Sequence, residues 1–384
     1  MRELEAIVTA YDRLKKNAIP CILATVVHLE GSAYRRAGAR MLVEADGTIT
    51  GAISGGCLEG HALKKALEAN EQQRNMLVTY DTTDESNMEI GVQLGCNGVI
   101  QVLFEPIDFN EENNPVELLR KVVQSESKMT IITFFNLQAD KEQVGTKMLF
   151  NPLVKTAGTL EDQELFNILK EDVAEVFAIG KSGFYEYQDS GKQQQAFIEL
   201  CQPPPVLTVI GAGNDTQVLA GMAAILGWKV VVIDRRETHA NARRFLPSCQ
   251  VIVSDPDKIL DKIEITDRSY FVLMTHSYPC DLAVLRLLLK RSEVPYIGIL
   301  GPKKKYLRMR DDLKGEGFDL NEKQLSRIYA PMGLNLGAET PAEIGLSVLS
   351  EILAVMHKAD AEFLRDREKT IHNKSDYYFT VKQV

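Results

Sequence analysis

Apolar and polar residues follow different periods in different parts of the chain. The opening segment MRELEAIVTAYDRLKKN has apolar residues at helical spacing, which predicts an amphipathic helix. The continuous apolar run in CILATVVHLEG predicts a buried strand, and residues 40–54 read as a hairpin that turns at Ala45-Asp46-Gly47. MLVTYD and GVIQVLFEP predict two further strands on either side of a polar, irregular segment.

The segment 107–200 has a weaker pattern. It predicts a helix at residues 115–124, a strand at MTIITFFNL, a helix at residues 162–170, and strands at AEVFAIG and QQAFIEL. This order predicts a mixed α/β arrangement with antiparallel strand pairs.

A change of pattern follows the three prolines at 203–205, which favour an extended spacer. From VLTVIGAGNDTQVLA onward, apolar strands alternate with helices: QVIVSD, YFVLMTH, VPYIGILG and RIYAP are the later strand candidates. Such alternation predicts a doubly wound parallel sheet. Thr340, Pro341 and Glu343 predict the start of a last helix through a capping box.

The predicted fold class is therefore α/β, with an N-terminal mixed α/β domain and a C-terminal Rossmann domain. The predicted boundaries are 1–200 for the first domain, 201–205 for a proline-rich linker, 206–358 for the Rossmann domain and 359–384 for a polar tail. The tail is expected to pack loosely or to reach a partner.

Composition narrows the class of protein. A chain of 384 residues with 45% hydrophobic and 25% charged residues suits two globular domains. A net charge of −9 argues against nucleic acid as a partner. Neither a signal peptide nor an apolar run of about 20 residues is seen, so we expect a cytoplasmic protein without a membrane span. The six cysteines contain no C-x-x-C pair, so any chemistry would use single thiols.

The stretch Ser54-Gly55-Gly56-Cys57 stands between a predicted strand and a predicted helix. Glycines permit close approach of a ligand to the backbone, and a helix start favours anions and thiolates. These features suit an anionic or metal-bearing ligand. The alternative is an ordinary turn with a small buried cysteine.

Two other elements point the same way. Arg35, Arg36 and Arg40 lie among small residues, and guanidinium groups bind oxyanions in a bidentate manner. Cys96 is flanked by glycines before another strand. The alternative for the arginines is a solvated basic turn.

The predicted Rossmann domain contains candidate nucleotide-binding residues. Gly211 and Gly213 follow a strand and open a helix, and Asp234 ends the next strand, as in a dinucleotide site. Thr216 replaces the third glycine of that motif, and Arg235 and Arg236 are suited to a 2′-phosphate. A Rossmann fold without a bound nucleotide is the alternative.

The next strand ends in three further candidate residues. His276, Cys280 and Asp281 stand at the carboxyl edge of the sheet, where open α/β sheets bind ligands. Lys303, Lys304 and Lys305 follow the strand after that one, where they would steer an anion or form a solvated helix face.

Taken together, GSAYRRAGARMLV, GAISGGCLEG, VIGAGNDTQVLA, THSYPCDLAVL, YIGILGPKKK and PMGLNLGAETPAEIGLSVLSEI resemble the XdhC/CoxI family, with an N-terminal signature at 31–60 and 91–106. The resemblance implies an accessory protein of xanthine dehydrogenase and related molybdenum hydroxylases. Such proteins bind molybdenum cofactor (molybdopterin), protect it during sulfuration by a cysteine desulfurase, and deliver it to the apo-enzyme. In Gram-positive bacteria a similar protein serves purine catabolism.

The motifs described above give a set of candidate cofactor-binding residues. These are Arg35, Arg36, Arg40, Ser54, Gly55, Gly56, Cys57, Cys96, Gly211, Gly213 and Asp234. Cys57 and Cys96 are the candidates for contact with molybdenum, because a thiolate is a soft ligand. Two positions depart from the family pattern: Tyr278 stands where a second histidine is common, and Asn97 interrupts a glycine pair.

Three functions compete at this point. The favoured one is a cofactor chaperone without turnover, which implies an apo-hydroxylase and a desulfurase as partners and allows a homodimer. The second is an NAD(P)-dependent oxidoreductase that uses His276, with Asp281, for acid–base chemistry. The third, a catalytic component of xanthine dehydrogenase, would need the four-cysteine spacing of an iron–sulfur site or a flavin domain, and we see neither in the sequence.

Overall fold

The computed structural model describes the chain except for residues 32–33, 82–97, 152–153, 159, 161, 190–191, 368–377 and 384. It divides into two compact units: residues 1–203 with 367–384, and residues 204–366. In the described ranges no helix is long and apolar enough to cross a membrane.

The first sheet of the N-terminal unit is antiparallel. Its strands are β1 (Cys21–Gly31), β2 (Arg40–Glu44), β3 (Ile49–Gly51), β4 (Met76–Asp81) and β5 (Gly98–Pro106), in the order β3-β2-β1-β5-β4. Strand β1 is largely apolar, and both of its faces are buried over its first eight residues. Leu23 packs in the cluster that contains helix α1 (Arg2–Lys16), whereas Ile22 and Ala24 pack in the cluster that contains α2 (Glu59–Gln72). The predicted hairpin is β2–β3.

The second sheet of this unit joins distant parts of the chain. Its strands are β6 (Met129–Phe135), β7 (Gly145–Asn151), β8 (Val154–Ala157), β9 (Gly183–Asp189), β10 (Lys192–Cys201) and β17 (Tyr378–Gln383), in the order β17-β9-β10-β6-β7-β8. All pairs are antiparallel except β17 with β9. Helix α3 (Pro115–Gln124) confirms the predicted bounds.

The strand predicted at AEVFAIG is wrong. These residues form the second half of helix α4 (Gln163–Ile179), which begins at an Asp162 cap and ends at Gly180 with a φ of 74°. Leu165, Leu169, Val173 and Val176 are its buried apolar residues, so the helical period continues through the apolar run.

The polar tail returns to the N-terminal unit, a pairing that we did not foresee. Strand β17 runs parallel to β9, with Tyr378 opposite Gly183. Lys382 forms an ion pair with the buried carboxylate of Asp172, which also accepts a hydrogen bond of 2.8 Å from the Tyr187 hydroxyl. The strand therefore brings a cation to a carboxylate that is buried in the N-terminal unit.

The C-terminal unit is a six-stranded parallel sheet, as predicted. Strands β11 (Val206–Ile210), β12 (Lys229–Asp234), β13 (Cys249–Val253), β14 (Ser269–Leu273), β15 (Tyr296–Ile299) and β16 (Ile328–Tyr329) take the order β13-β12-β11-β14-β15-β16. This is the Rossmann strand order. Successive strands are added on one side of β11 up to β13 and on its other side from β14 onward, so the switch point lies between β11 and β14.

Helices cover both faces of this sheet. They are α5 (Asn214–Ile225), α6 (Tyr278–Leu289), α7 (Lys303–Gly315), α8 (Glu322–Leu325) and α9 (Pro341–His357). Leu219 and Ile352, from α5 and α9, lie in one core cluster, and Leu285 and Met309, from α6 and α7, lie in the other. The predicted capping box of α9 is present between Thr340 and Glu343.

Candidate functional site

The turn before α2 is held by a partly buried network of hydrogen bonds between Ser54, Leu58 and Glu59. The backbone N–H of Ser54 donates to Glu59 Oε1 at 2.8 Å, and the Ser54 hydroxyl donates to the other Glu59 oxygen. That hydroxyl also accepts from the Leu58 N–H at 3.0 Å. Burial raises the pKa of Glu59, but the hydrogen bonds from Ser54 and the turn backbone outweigh burial and lower it. Ser54, 6% exposed, therefore shapes the turn from inside.

The outer surface of the same turn is open. The Tyr34 ring, 69% exposed, lies against Gly55: a Cβ at Gly55 would be only 2.8 Å from the ring. Gly56 has a φ of 106°, and a Cβ there would meet nothing within 4 Å. Cys57 is an exposed free thiol at the start of α2. The turn thus offers an aromatic ring, accessible backbone and a thiol on one surface.

The three predicted arginines lie in the segment 35–40, called the basic loop below, and are placed differently from one another. Arg36 is exposed. Arg35 forms an ion pair with Glu3, whose other carboxylate oxygen accepts from the Ala52 N–H at 3.1 Å. Arg35 thereby connects the basic loop, through α1, to the segment that leads into the Cys57 turn.

Arg40, in contrast, is internal. Its side chain is 2% exposed, donates to the Gly38 carbonyl at 2.9 Å and pairs with Glu199 Oε2 at 2.5 Å. Burial lowers the pKa of Arg40, but Glu199 opposes burial and raises it overall. The guanidinium therefore stays charged and connects β2 to β10, a role that the sequence did not reveal.

Cys96, the other candidate contact for molybdenum, lies outside the described residues. Within the residues the structure does describe, no group of three or more His, Cys, Asp or Glu side chains could hold a metal ion. Tyr34 and Glu59 were not predicted from the sequence. Both are inside the quoted signature, and the carboxylate two residues after Cys57 was the available signal.

The second glycine turn precedes α5, and contacts with other residues of the Rossmann unit surround its first two residues. Gly211 has a φ of 108°, and a Cβ there would lie 2.4 Å from the Met274 carbonyl oxygen, so only glycine fits. Thr216, in place of the third glycine, donates to the Gly211 carbonyl at 2.7 Å. Arg244 donates to the Ala212 carbonyl at 2.7 Å and to Asn214 Oδ1 at 2.9 Å.

Asp234 is also satisfied internally. Its Oδ2 accepts from the Ala212 N–H at 2.8 Å and from Arg236 Nη2 at 2.7 Å, while Oδ1 accepts from Arg236 Nε at 2.9 Å. Burial raises the pKa of this carboxyl, but these hydrogen bonds outweigh burial and bring it to about 2. Asp234 is therefore ionised and engaged at neutral pH.

A crevice of about 220 Å³ opens at this edge of the sheet, between the ends of β11, β12, β13 and β14. His276, exposed and with a φ of 56°, stands at its rim beside Cys280. Asp281 is fully buried: it accepts from Thr275 Oγ1 at 2.6 Å and pairs with Lys305 at 2.5 Å. Lys303 and Lys304 are exposed.

These features define a class: a Rossmann unit whose nucleotide turn is closed, joined in one chain to an α/β unit with an exposed glycine–cysteine turn. Residues 207–352 match the XdhC Rossmann domain, and residues 14–81 match the XdhC and CoxI family.

Relatives extend over most of the chain. A protein of Bacillus subtilis named as a probable subunit of xanthine dehydrogenase is 30% identical over 345 residues, which cover 90% of this chain and 96% of that protein. The molybdenum cofactor insertion chaperone PaoD of Escherichia coli is 22% identical over 334 residues, covering 87% of this chain and 83% of that one. A crystal structure of a xanthine dehydrogenase from Bacillus halodurans has a TM-score of 0.73 at 25% identity and covers 92% of this chain and 96% of that one. The chain belongs to the XdhC/CoxI family.

Proposed function

We propose that this protein is an accessory factor of molybdenum hydroxylases, and that it binds molybdenum cofactor and delivers it to an apo-enzyme of the xanthine dehydrogenase type. The observation that carries the proposal is the exposed surface of Tyr34, Gly55, Gly56 and Cys57 on a turn fixed by Glu59. A relative named as a molybdenum cofactor insertion chaperone, aligned over most of both chains, supports it.

The residues of this turn fit the chemistry of the cofactor. The Tyr34 ring presents a face suited to a planar pterin. Arg36 and the backbone at the start of α2 suit its phosphate. The Cys57 thiol is a soft ligand suited to molybdenum, the centre that supplies the redox chemistry of the recipient enzyme.

Ser54, Arg35 and Arg40 have a structural role in this proposal: they hold the turn and the basic loop in place. Ser54 holds the turn through Glu59, and Arg35 and Arg40 hold the basic loop through Glu3 and Glu199. A hydroxylase, a cysteine desulfurase and a second copy of this chain are the proposed partners, acting in the cytoplasm and, for xanthine dehydrogenase, in purine catabolism. Cys96 stays a proposed second thiol.

The oxidoreductase alternative has little support in the geometry. An acid–base pair of His276 with Asp281 would need a carboxylate free to orient the imidazole, whereas Asp281 is bound by Lys305 and Thr275. A ribose would have to compete with Arg236 for Asp234.

The test is retention of molybdenum and pterin by the purified full-length protein after incubation with released cofactor and gel filtration. We expect near-stoichiometric retention by the wild type and at least a tenfold loss in Cys57→Ser and in Arg36→Met. Lys65→Met, which removes a half-buried cation paired with Glu68 on α2, is the matched control and should retain the cofactor. Equal retention by all three variants would refute the assignment to this turn.

A further inference from the structure

The crevice of the Rossmann unit has the composition of a small ligand site. Its floor is apolar, formed by Ile210, Ile233 and Ile259, which are at most 2% exposed. Its rim is polar, with Arg235, Arg236, Ser254, Thr275 and His276. An apolar slot with a few convergent polar groups is the usual form of a small-molecule site.

The position of the crevice indicates which part of a nucleotide it suits. It lies where β12 and β13 end, beside the acid of the second strand, which is where Rossmann folds hold a ribose and its base. Its volume of about 220 Å³ is below the about 300 Å³ at which pockets for drug-sized ligands begin, so it suits a ligand smaller than a dinucleotide.

An exposed imidazole borders the path that a dinucleotide would take. In dinucleotide sites the second glycine lets the diphosphate approach the backbone. Here a Cβ at Gly213 would lie 3.9 Å from His276 Nε2, so the imidazole stands beside that approach. Asp215, in the first turn of α5, adds a negative charge at the same helix start.

The rim of the crevice presents positive charge, whereas a site that binds a ribose diol presents a free carboxylate. Asp234, which would accept ribose hydroxyls, instead holds Arg236 by two oxygens. Arg235 is exposed and forms no ion pair with any residue that the structure describes. The pair Asp234–Arg236 is neutral overall, so the rim carries the net positive charge of Arg235 and presents guanidinium groups instead of a carboxylate.

We propose that this crevice binds a single nucleoside that carries a phosphate on its ribose, with the base on the isoleucine floor and the phosphate at Arg235 and Arg236. Asp234 is then a positioning residue that orients Arg236. This site is separate from the Cys57 turn, and its function does not depend on the proposed cofactor delivery.

The experiment is calorimetric titration of the full-length protein with adenosine 2′-monophosphate as the probe, beside adenosine, adenosine 5′-monophosphate, NADP⁺ and inorganic phosphate. We expect the 2′-monophosphate to bind at least tenfold more tightly than adenosine, the 5′-monophosphate or phosphate, and no less tightly than NADP⁺. Arg236→Met should weaken it at least tenfold and Arg235→Met severalfold.

Arg310→Met, which removes an exposed cation of α7 outside the crevice, is the matched control and should bind as the wild type does. Absence of binding, equal binding of inorganic phosphate, tenfold tighter binding of NADP⁺, or undiminished binding by both arginine variants would each overturn the proposal. The titrations use no molybdenum cofactor, so their failure is distinguishable from failure of the proposed function.

Discussion

Two glycine turns lead into helices in this chain, Ser54–Cys57 before α2 and Gly211–Gly213 before α5, and they are constructed in opposite ways. In the first, the network of Ser54 and Glu59 lies beneath the turn and leaves Gly56 and Cys57 open. In the second, the Met274 backbone packs against Gly211, and Arg244 donates to the Ala212 carbonyl. The difference teaches that a glycine motif before a helix specifies a backbone path, while the residues around it decide whether a ligand can reach that path.

The largest expected effect concerns Arg40, the arginine of the basic loop that the fold has buried. Arg40→Met should destabilise the N-terminal unit by about 3–5 kcal/mol, because Glu199 and the buried Glu105 lose their nearby cation. Far-UV circular dichroism during urea unfolding measures the loss. Lys65→Met, which breaks a partly exposed pair on the surface of α2, should change stability by less than about 1 kcal/mol. Equal shifts in the two variants would show that Arg40 is not a buried structural cation.

The second prediction sharpens the contrast between the turns. Gly211→Ala should cost about 3 kcal/mol, since it combines a positive φ with a Cβ that would lie 2.4 Å from a carbonyl oxygen. Gly56→Ala has the same strain without the contact and should cost about 1–2 kcal/mol.

The single tryptophan makes this measurement specific to one unit. Trp228 lies in the core of the Rossmann unit, so its fluorescence reports that unit's unfolding. Gly211→Ala should shift the Trp228 transition, whereas Gly56→Ala should leave it unchanged. Gly221→Ala, on α5 where a Cβ would meet nothing within 4 Å, should be neutral or slightly stabilising. A Gly211→Ala protein as stable as Gly221→Ala would contradict the closed description of the second turn.

The third prediction concerns the pH dependence of stability that follows from the ionised carboxylate of Asp234. A carboxyl whose pKa falls to about 2 from an ordinary 3.8 stabilises the fold above pH 4, and this contribution is lost as pH falls toward 2. Arg236→Met should therefore cost about 1–2 kcal/mol at pH 6 and roughly half of that at pH 3. Trp228 fluorescence at both pH values, with Arg310→Met as the control, provides the measurement. A cost that does not depend on pH would disprove the pairing.

The smallest effect should come from Ser54. Ser54→Ala removes the hydroxyl that accepts from Leu58 and donates to Glu59, but the Ser54 N–H still donates to Glu59. The loss should be about 1 kcal/mol, comparable to that of a helix cap. Ser54→Thr, which keeps the hydroxyl, is the matched control in the same denaturation experiment; a loss in the threonine variant as large as in the alanine variant would argue against the hydroxyl's role.

Local pattern was enough to predict the Rossmann unit, because β11, α5 and β12 follow one another in sequence and carry their own turn and cap residues. Local pattern did not predict the features that depend on contacts between residues far apart in sequence. The pairing of β17 with β9 and the partner of Arg40, 159 residues away, have no local signal. AEVFAIG is a short apolar run that is compatible with a strand or with a helix. Only the helical period that begins at Leu165 distinguishes the two.

The candidate site divides in the same way. Gly55, Gly56 and Cys57 could be chosen from sequence because glycine and cysteine before a helix have a local meaning. That Tyr34 lies on Gly55, that Asp234 is held by Arg236, and that Asp281 is buried with Lys305 depends on tertiary packing. These contacts make the first turn accessible and the second one closed.

The central claim is that the exposed Cys57 turn, and not the Rossmann turn, receives the cofactor. The most direct measurement is the rate of iodoacetamide alkylation of the exposed Cys57, read by mass spectrometry of its peptide, with and without molybdenum cofactor. We expect the cofactor to slow alkylation of Cys57 at least tenfold. An unchanged rate at Cys57 would contradict the proposed site.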